Sequence, residues 1–334
     1  MLHVGMDVHW KTTTICILDE HGQPVKRKEI RGDWQSVLRF VATIERPFQV
    51  VYEASCGCGF LYDRLSRMAD RVVVGHPGRL RLICGSKRKS DRIDAKKLAM
   101  LLYLDMIPQA YVPSAKIRDW RELIEYRQRL VARRVRCKNT LRALLRNLGI
   151  VAPKGLWYRA GRQWLRGLEL DSIHQLRLDM LLDELALFDQ QIHRATKVLD
   201  AMARRIPAVG LLQTIPGVGP RTAEAMAAYI ADARRFGNQR AIGAYLGLIP
   251  CLDASAGKSR YGHITKDGPA TARKLLVEAA WQVIRRCPRT RARFERLCRG
   301  RKDRRKKALV AVARHLACCM VSMLQTGEVW RKAA

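Results

Sequence analysis

The stretch HVGMDVHWKTTTICIL, residues 3–18, decides the fold of the N-terminal part of the chain. Val4, Met6 and Val8 alternate with other residues, a pattern that is typical of a β-strand with one buried face. The second half, TTTICIL, is rich in β-branched side chains, which favour strands. The stretch therefore predicts two consecutive strands, and it places Asp7 on the first of them.

Further strands follow these two along the chain. Residues 24–30, 49–52 and 71–75 have strand character, and Asp33 can cap the first of the helices that lie between them. Three consecutive strands followed by helix, strand, helix and strand predict a mixed sheet covered by helices. We therefore expect an α/β domain in residues 1–108.

The remaining two thirds of the chain have a helical pattern. Residues 109–205 form a predicted linker, in which apolar residues recur every three or four positions over residues 120–148 and 178–202. Such a seam is typical of an antiparallel hairpin packed on itself or of a coiled coil that forms a dimer, and the sequence leaves both open. Residues 206–334 are predicted to be mainly helices separated by glycine and proline.

Composition points to a polyanionic partner. The 334 residues include 63 Lys and Arg against 30 Asp and Glu, a formal net charge of +33 at pH 7. Apolar residues make up 48%, enough for real cores, so the chain is not a disordered basic tail. Nucleic acid is the first candidate partner, a basic structural protein is the alternative, and an enzyme of small metabolites is disfavoured.

A cytoplasmic location is expected, without a membrane. The longest apolar stretch, residues 308–324, contains Arg314 and His315 and is predicted to be too short and too charged to span a bilayer. The chain begins directly with a strand pattern rather than with a charged and then apolar leader.

Basic residues are concentrated in three clusters. Residues 281–307 contain 13 Lys and Arg against two acidic residues, and residues 127–146 and 87–97 hold the other two clusters. If these side chains contact phosphates, binding should weaken steeply with salt. The sequence contains no aromatic motif of the RNA-recognition type, so base stacking on the sheet is not expected.

Four carboxylates stand out in this basic chain. Asp7 lies on a strand, Glu53 closes another strand, and Asp91 and Asp94 are three apart at the start of a predicted helix, on one face. Singly, each could be an ordinary strand acid, cap or first-turn residue. Together, converging carboxylates cannot all ionise without cations, and one or two Mg²⁺ ions are the natural solution for phosphoryl transfer.

The segment IPGVGPRTA, residues 215–223, has the form of a helix–hairpin–helix turn. Gly217 and Gly219 permit a tight backbone, and the helix that follows, with Arg221 in its first turn, could offer N–H groups to DNA phosphate. A plain turn between packed helices is the alternative.

A second polar block, DASAGKSR, occupies residues 253–260. Small residues frame Ser255, so a bulky phosphodiester could approach it, and Lys258, Arg260 and Lys266 could neutralise phosphate charge. An ordinary polar loop is the alternative, and Ser259 is a second candidate nucleophile.

Three of these motifs resemble those of a known family. VGMDV (residues 4–8), YEA (52–54) and KSDRIDA (89–95) are similar to the DEDD motifs of the RuvC-like, RNase H-type domain of the insertion-sequence 110 family of transposases, which includes the pilin-gene invertases. The resemblance implies that Asp7, Glu53, Asp91 and Asp94 bind metal, with two Mg²⁺ ions.

The C-terminal block also resembles this family. The family carries a serine after a Gly-x-x-Pro segment, followed by a lysine, and here Ser255 and Lys258 match them. The resemblance implies that Ser255 attacks a DNA phosphodiester and forms a covalent phosphoserine link. The family's basic closing segment is matched by Arg301, Lys302, Arg304 and Arg305, and its linker helix by Lys138 and Asn139.

The implied function is that of a DNA transposase or site-specific recombinase of a prokaryotic mobile element. The implied partners are donor and target DNA, a bridge RNA that guides the protein, and further copies of the chain in a homodimer or homotetramer, active in the cytoplasm at the nucleoid. Two alternatives stay open, a hydrolytic RuvC-like junction nuclease and a non-catalytic basic scaffold that binds nucleic acid.

Overall fold

The computed structural model describes residues 1–84, 91–255 and 258–331, without the side chains of residues 84, 253–255, 258 and 259. The chain divides into two compact units, Met1–Arg118 and Asp119–Ala334. The second unit includes most of the predicted linker. The three-part division into residues 1–108, 109–205 and 206–334 stays a prediction.

The N-terminal unit is built on the predicted mixed sheet. Its strands are β1 (Leu2–Val8), β2 (Thr12–Leu18), β3 (Pro24–Arg31), β4 (Phe48–Glu53) and β5 (Arg71–Gly75). Their order is β3-β2-β1-β4-β5, with antiparallel pairing from β1 to β3 and parallel pairing from β1 through β4 to β5. The prediction of an α/β domain with a mixed sheet is confirmed.

Helices cover both faces of this sheet. They are α1 (Trp34–Val41), α2 (Cys58–Leu65), α3 (Pro77–Cys84) and α4 (Asp91–Tyr103). The predicted cap of α1 is present, because an Asp33 carboxylate oxygen accepts the Ser36 backbone N–H at 3.0 Å. Val4, Met6 and Tyr52 are buried with residues of α1 and α2 on one face, whereas α4 packs on the other.

A glycine sets the distance between β1 and α4. A Cβ at Gly5 would overlap the carbonyl oxygen of Ala95 and the amide nitrogen of Ala99, both backbone atoms of α4. Ala95 and Ala99 are themselves fully buried. Small residues on both elements thus let the helix lie directly on the strand at Gly5, two residues before Asp7.

The predicted helical linker is an antiparallel hairpin. It consists of α5 (Ala115–Asn147) and α7 (Ser172–Ala203), with the short α6 (Arg159–Arg166) between them. Arg127 bonds Thr196, Arg134 bonds Asp189, and the thiol of Cys137 bonds the Leu181 carbonyl, so the two helices run in opposite directions. Most of the predicted apolar seam is buried inside this hairpin: Leu178, Leu185, Ile192, Ala195 and Leu199.

The C-terminal part contains six further helices in the residues described. They are α8 (Pro207–Gln213), α9 (Pro220–Ile230), α10 (Ala241–Tyr245), α11 (Ala270–Arg286), α12 (Pro288–Cys298) and α13 (Arg305–Thr326). A two-stranded hairpin, β6 (Pro250–Ser255) and β7 (Lys258–Ile264), also lies in this part, for which the sequence predicted mainly helices. Two of its large apolar side chains, Leu252 and Tyr261, are exposed, and among its described side chains Ile264 packs against the core. The described positions thus show no regular alternation of buried apolar residues.

One helix of the described chain, Lys302–Thr326, is long and apolar enough by length and composition to cross a membrane, with a mean hydropathy of 1.6 over its best window. The prediction that this segment is too short and too charged is therefore wrong on that criterion. Half of the window is buried inside the protein, where Val312, Leu316 and Met320 join the core with α9 and α11. This packing accounts for the apolar composition.

Substitution of Gly5 by alanine tests the close contact between β1 and α4. The new methyl group meets backbone that cannot rotate away, so we expect a loss of about 1–3 kcal/mol in the free energy of unfolding. Thermal unfolding followed by circular dichroism measures it. The control is Gly210→Ala in α8, where a Cβ meets nothing within 4 Å and alanine should be neutral or stabilising. Equal melting temperatures for both variants would contradict the contact.

Candidate functional site

Two of the four carboxylates lie next to each other near the ends of adjacent strands. Met6 of β1 pairs with Tyr52 of the parallel strand β4, so Asp7 and Glu53 follow at adjacent strand ends. Side chains alternate between the faces of a strand. Gly5 contacts α4, and residues two apart share a face, so Asp7 lies on the α4 side. Val51 is buried with Leu98 of α4, which places Glu53 on the same side.

Helix α4 brings a third carboxylate to this point. It begins at Asp91, and one potential ligand atom from each of Asp7, His9 and Asp91 lies within 4.8 Å of the other two. The Nε2 atom of His9 is 3.5 Å from Oδ2 of Asp7. We call these three residues the acid cluster. It is the only group of this kind among the residues that the structure describes.

The electrostatics of the acid cluster favour a bound cation. Partial burial raises the pKa of Asp7, and the negative charges of Asp91 and Asp94 raise it further, whereas His9 opposes the shift. A divalent cation would remove this repulsion, and carboxylate oxygens are the ligands that Mg²⁺ and Mn²⁺ prefer. The donor set therefore fits a divalent ion.

The structure brings together some of the predicted ligands and adds one. Asp7 and Asp91 meet, and Asp94 acts on Asp7 electrostatically while its own carboxylate lies 4.0 Å from Nζ of Lys97. Glu53 is on the correct face but outside the acid cluster. His9 was not predicted. Its signal in the sequence was its position two residues after Asp7, which places both side chains on one side of the strand.

The candidate nucleophile lies at the end of β6. Ser255 pairs in register with Lys258 across the turn of the hairpin, and Asp253 pairs with Arg260. The Ser255, Lys258 and Ser259 side chains lie outside the described part of the chain, so their predicted roles stay predictions. Arg260 is exposed.

The glycine-rich turn joins α8 to α9, as a helix hairpin requires, but its side chains are engaged inside the protein. A Cβ at Gly217 would meet the backbone of α11 at 2.7 Å. The Arg221 guanidinium pairs with Asp200 and with Glu224, the latter at 2.8 Å. The Arg221 guanidinium is thus already paired with carboxylates in the protein, whereas a Cβ added at Gly219 would meet nothing within 4 Å. DNA contact by Gly217, Gly219 and Arg221 stays a prediction.

A cleft of about 1350 Å³ lies beside the β6–β7 hairpin in the C-terminal unit. Pro250 and Tyr261 of the hairpin and Trp330 near the chain end form parts of its wall. Among the described lining residues, Glu328 is the one acid. The positive side chains are Arg240, Lys266, Arg293, Lys306, Lys307, Arg314 and Arg331. Its size and charge suit a polyanion. Arg240 and Arg314 were not predicted as binding residues, because they lie outside the charge-dense segments of the sequence.

The predicted basic segment before α13 is on the surface. Arg301 pairs with Asp303 at 2.9 Å, and both are exposed. The Arg305 guanidinium lies over the rings of Trp281 and Phe294, at 6.0 and 5.8 Å from their centres. Lys302 is exposed and Arg304 is partly buried. DNA contact by these four residues, Arg301, Lys302, Arg304 and Arg305, stays a prediction.

Comparison with known proteins gives the family. The sequence model of the IS110-type DEDD transposases matches residues 4–150, which contain the acid cluster. A second model, described as "Transposase IS116/IS110/IS902 family", matches residues 209–295, which contain Ser255. The chain belongs to the IS110 family of transposases. An RNase H-like fold is what a DEDD domain implies for the mixed sheet of this transposase.

Relatives resemble this transposase over nearly its whole length. A probable family 20 transposase of Pseudomonas aeruginosa is 29% identical, over 93% of this chain and 92% of the relative. The transposase for insertion sequence element IS1111A of Coxiella burnetii is 25% identical, over 99% and 92%. The transposase for IS1328 of Yersinia enterocolitica is 26% identical, over 93% and 92%.

Family membership establishes the type of reaction. This transposase is an enzyme that cuts and rejoins DNA in the transposition of an insertion sequence. DEDD transposase domains generally use a divalent metal, and the acid cluster provides a possible place for one.

Removal of the Asp7 charge tests cation binding at the acid cluster. We expect Mg²⁺ or Mn²⁺ to raise the melting temperature of the wild-type protein. At a hundred times its Kd, a ligand that binds one site only in the folded state stabilises by about 2.7 kcal/mol. Asp7→Asn should lose most of this shift, and Glu45→Gln, which removes an exposed carboxylate after α1, should keep it. An equal shift in all three proteins would contradict a site at Asp7.

Proposed function

We propose that this transposase cuts DNA through a covalent protein–DNA intermediate. The Ser255 oxygen forms a bond to phosphorus, and one P–O bond of the phosphodiester breaks. The departing strand end takes up a proton as a free hydroxyl, while the hydroxyl proton of Ser255 is lost to a base. Attack of a new strand end on the phosphoserine reverses these steps, so rejoining needs no external energy.

The observation that carries the phosphoryl-transfer part of the proposal is the convergence of Asp7 and Asp91, from a strand and from a helix, in a chain whose charge is +33. The serine part is supported by the transposase family match over residues 209–295. The carboxylates of the acid cluster repel the phosphates of DNA unless cations are bound to them. With cations bound, the acid cluster attracts phosphate instead. The arrangement supports phosphoryl transfer better than simple binding, for which basic side chains alone suffice.

We propose that Asp7, Glu53, Asp91 and Asp94 together hold Mg²⁺, as two ions. Bound there, the metal would supply positive charge for the developing charge on the attacking and leaving oxygens. Glu53 and Asp94 complete the set because they lie on the face and on the helix that already carry Asp7 and Asp91. His9, beside Asp7, is a candidate to orient that carboxylate.

Serine needs activation, because a hydroxyl is a weak nucleophile at neutral pH. In our proposal two basic residues of β7 neutralise the charge of the attacked phosphate. They are Lys258, which pairs in register with Ser255, and Arg260. Lys266, on the wall of the basic cleft, continues this positive surface. Arg301, Lys302, Arg304 and Arg305 extend DNA binding along the phosphate backbone, with Gly219 at the turn before α9.

We further propose that a bridge RNA selects donor and target DNA, and that the active protein is a homodimer or homotetramer. The high positive charge supports simultaneous binding of RNA and DNA through their phosphates. Base pairing can then supply sequence choice, while the protein recognises shape and charge.

An adduct experiment tests the serine mechanism. The protein is expressed with its native flanking DNA, lysed in SDS, and assayed for DNA bound covalently to protein. We expect an adduct in the wild type that Ser255→Ala and Asp7→Asn both abolish, by at least about a hundredfold. Ser259→Ala is the matched control and should keep it.

Two results would overturn this mechanism. Cutting without an adduct, unchanged in Ser255→Ala, would favour the hydrolytic junction nuclease. An adduct that Ser259→Ala abolishes and Ser255→Ala leaves intact would move the nucleophile to Ser259.

Complementation tests whether the acids and the serine act in different protomers. Asp7→Asn and Ser255→Ala proteins, each inactive alone, are mixed and assayed for the adduct. If the two residues come from different copies, a mixed oligomer contains intact pairs and activity should recover to roughly a quarter to a half of the wild type. Complete failure, with mixed oligomers shown by two affinity tags, would contradict assembly in trans.

A further inference from the structure

Three aromatic rings form a continuous stack on the surface of the N-terminal unit. The ring of Trp10 meets that of Trp34 edge to face, with centroids 4.9 Å apart, and Trp34 stacks on Phe60 at 5.8 Å. We call these three residues the aromatic platform. Trp10 belongs to the turn between β1 and β2, Trp34 begins α1, and Phe60 lies in α2. Rings from three elements thus meet at one place.

The platform is held in place before any ligand binds. The His9 backbone N–H bonds the Thr12 carbonyl at 3.0 Å, and the Gly32 N–H bonds the Lys11 carbonyl at 3.0 Å, which fixes the turn that carries Trp10. Gly57 has a φ of +72°, and a Cβ there would overlap the Trp34 ring. The backbone therefore makes room for the stack, and little side-chain freedom is left to lose on binding.

The outer ring of the platform is open to solvent. Trp10 is 65% exposed, although a tryptophan is usually largely buried. The edge-to-face contact with Trp34 engages at most one face of the Trp10 ring. Apolar ring surface in contact with water is unfavourable in free energy, and a ligand that stacks on Trp10 would remove it from water.

Two positive side chains belong to the elements that carry the platform. Lys11 follows Trp10 and is exposed. The Arg64 guanidinium lies over the Phe60 ring, 5.6 Å from its centre. An exposed aromatic ring together with basic side chains is the combination that binds single-stranded nucleic acid, in which the ring stacks on a base and the cations attract the phosphates.

The platform is close to the acid cluster. Trp10 follows His9 directly and is three residues from Asp7, so their Cα atoms are at most about 10 Å apart. A stacked strand advances about 3.4 Å per nucleotide. If a phosphate of the strand lies at the acid cluster, a base within about three nucleotides of that phosphate can therefore reach the platform.

We propose that Trp10 stacks on an unpaired base of single-stranded DNA. That this base lies beside the phosphodiester to be cut rests on the function proposed above. Stacking of this kind holds a strand without reading its sequence, because every base has an aromatic face. It would fix the position of the opened strand at the acid cluster, a task that the general positive charge of the chain cannot perform.

Photocrosslinking of the full-length protein tests the stacking. The probe is a 12-nucleotide oligothymidylate with one central 5-iodouracil, compared with a blunt 12-base-pair duplex that carries the same label. After irradiation, mass spectrometry of the digested protein locates the crosslink. We expect it at Trp10 with the single strand, at least about tenfold above the duplex, in which the labelled base is already stacked.

Affinity for the unlabelled 12-mer gives the second readout, measured at high salt to suppress phosphate contacts. Trp10→Ala should weaken binding about tenfold, Trp10→Phe should stay within about threefold of wild type, and Tyr158→Ala, which removes an exposed ring from the other unit, should change nothing. A crosslink elsewhere together with unchanged affinity in Trp10→Ala would overturn the proposal.

A loss of self-association in Trp10→Ala without any change in DNA binding would also overturn it, because the platform would then be a protein interface. Neither readout requires cutting. Failure of the serine adduct would therefore leave the stacking result standing, and failure of the stacking would leave the adduct result standing.

Discussion

The contact between Gly5 of β1 and the Ala95–Ala99 turn of α4 is the constraint on which the candidate site depends. Without a Cβ at Gly5 the helix backbone lies directly on the strand. The first turn of α4 is thereby brought to the end of β1, where Asp7 lies. A larger residue at any of the three positions would lift the helix and carry Asp91 away from Asp7.

This approach creates an electrostatic problem that the function can use. Asp7 is partly buried and faces two further carboxylates, which raise its pKa in the absence of a cation. The rest of the chain carries an excess of positive charge that concentrates DNA by long-range attraction. The acid cluster is a small negative area in that field, and a bound divalent ion would convert it into a place where phosphate is stabilised.

Much of the N-terminal unit could be predicted because its signals are local. Alternation at Val4, Met6 and Val8 predicts β1, and the carboxylate of Asp33 predicts the start of α1. The four acids were predicted from their residue type, from the strand positions of Asp7 and Glu53, and from the spacing of Asp91 and Asp94 on one helix face. His9 and the aromatic platform were not, because their meaning depends on which rings and side chains meet across α1, α2 and the β1–β2 turn.

The C-terminal unit shows where local patterns fail. Arg221 has the sequence context of a phosphate contact, yet its guanidinium pairs with Asp200 and Glu224. The partner Asp200 is 21 residues away in the sequence, and such a pairing leaves no local pattern from which it could be predicted. The strands β6 and β7 were not predicted, and their large apolar side chains Leu252 and Tyr261 are exposed instead of forming a buried face. The seam of α7, by contrast, predicted its buried positions, because apolar residues every three or four positions mark one face of a helix in the sequence itself.

The central claim is that a divalent ion binds where β1, β4 and α4 meet. Iron-directed cleavage tests it most directly: Fe²⁺ replaces Mg²⁺, and ascorbate with peroxide produces radicals that cut the backbone beside the metal. We predict cuts confined to the neighbourhoods of Asp7, Glu53 and Asp91, suppressed by excess Mg²⁺ and absent in Asp7→Asn. Cuts elsewhere in the chain, or cuts that persist unchanged in Asp7→Asn, would contradict the account.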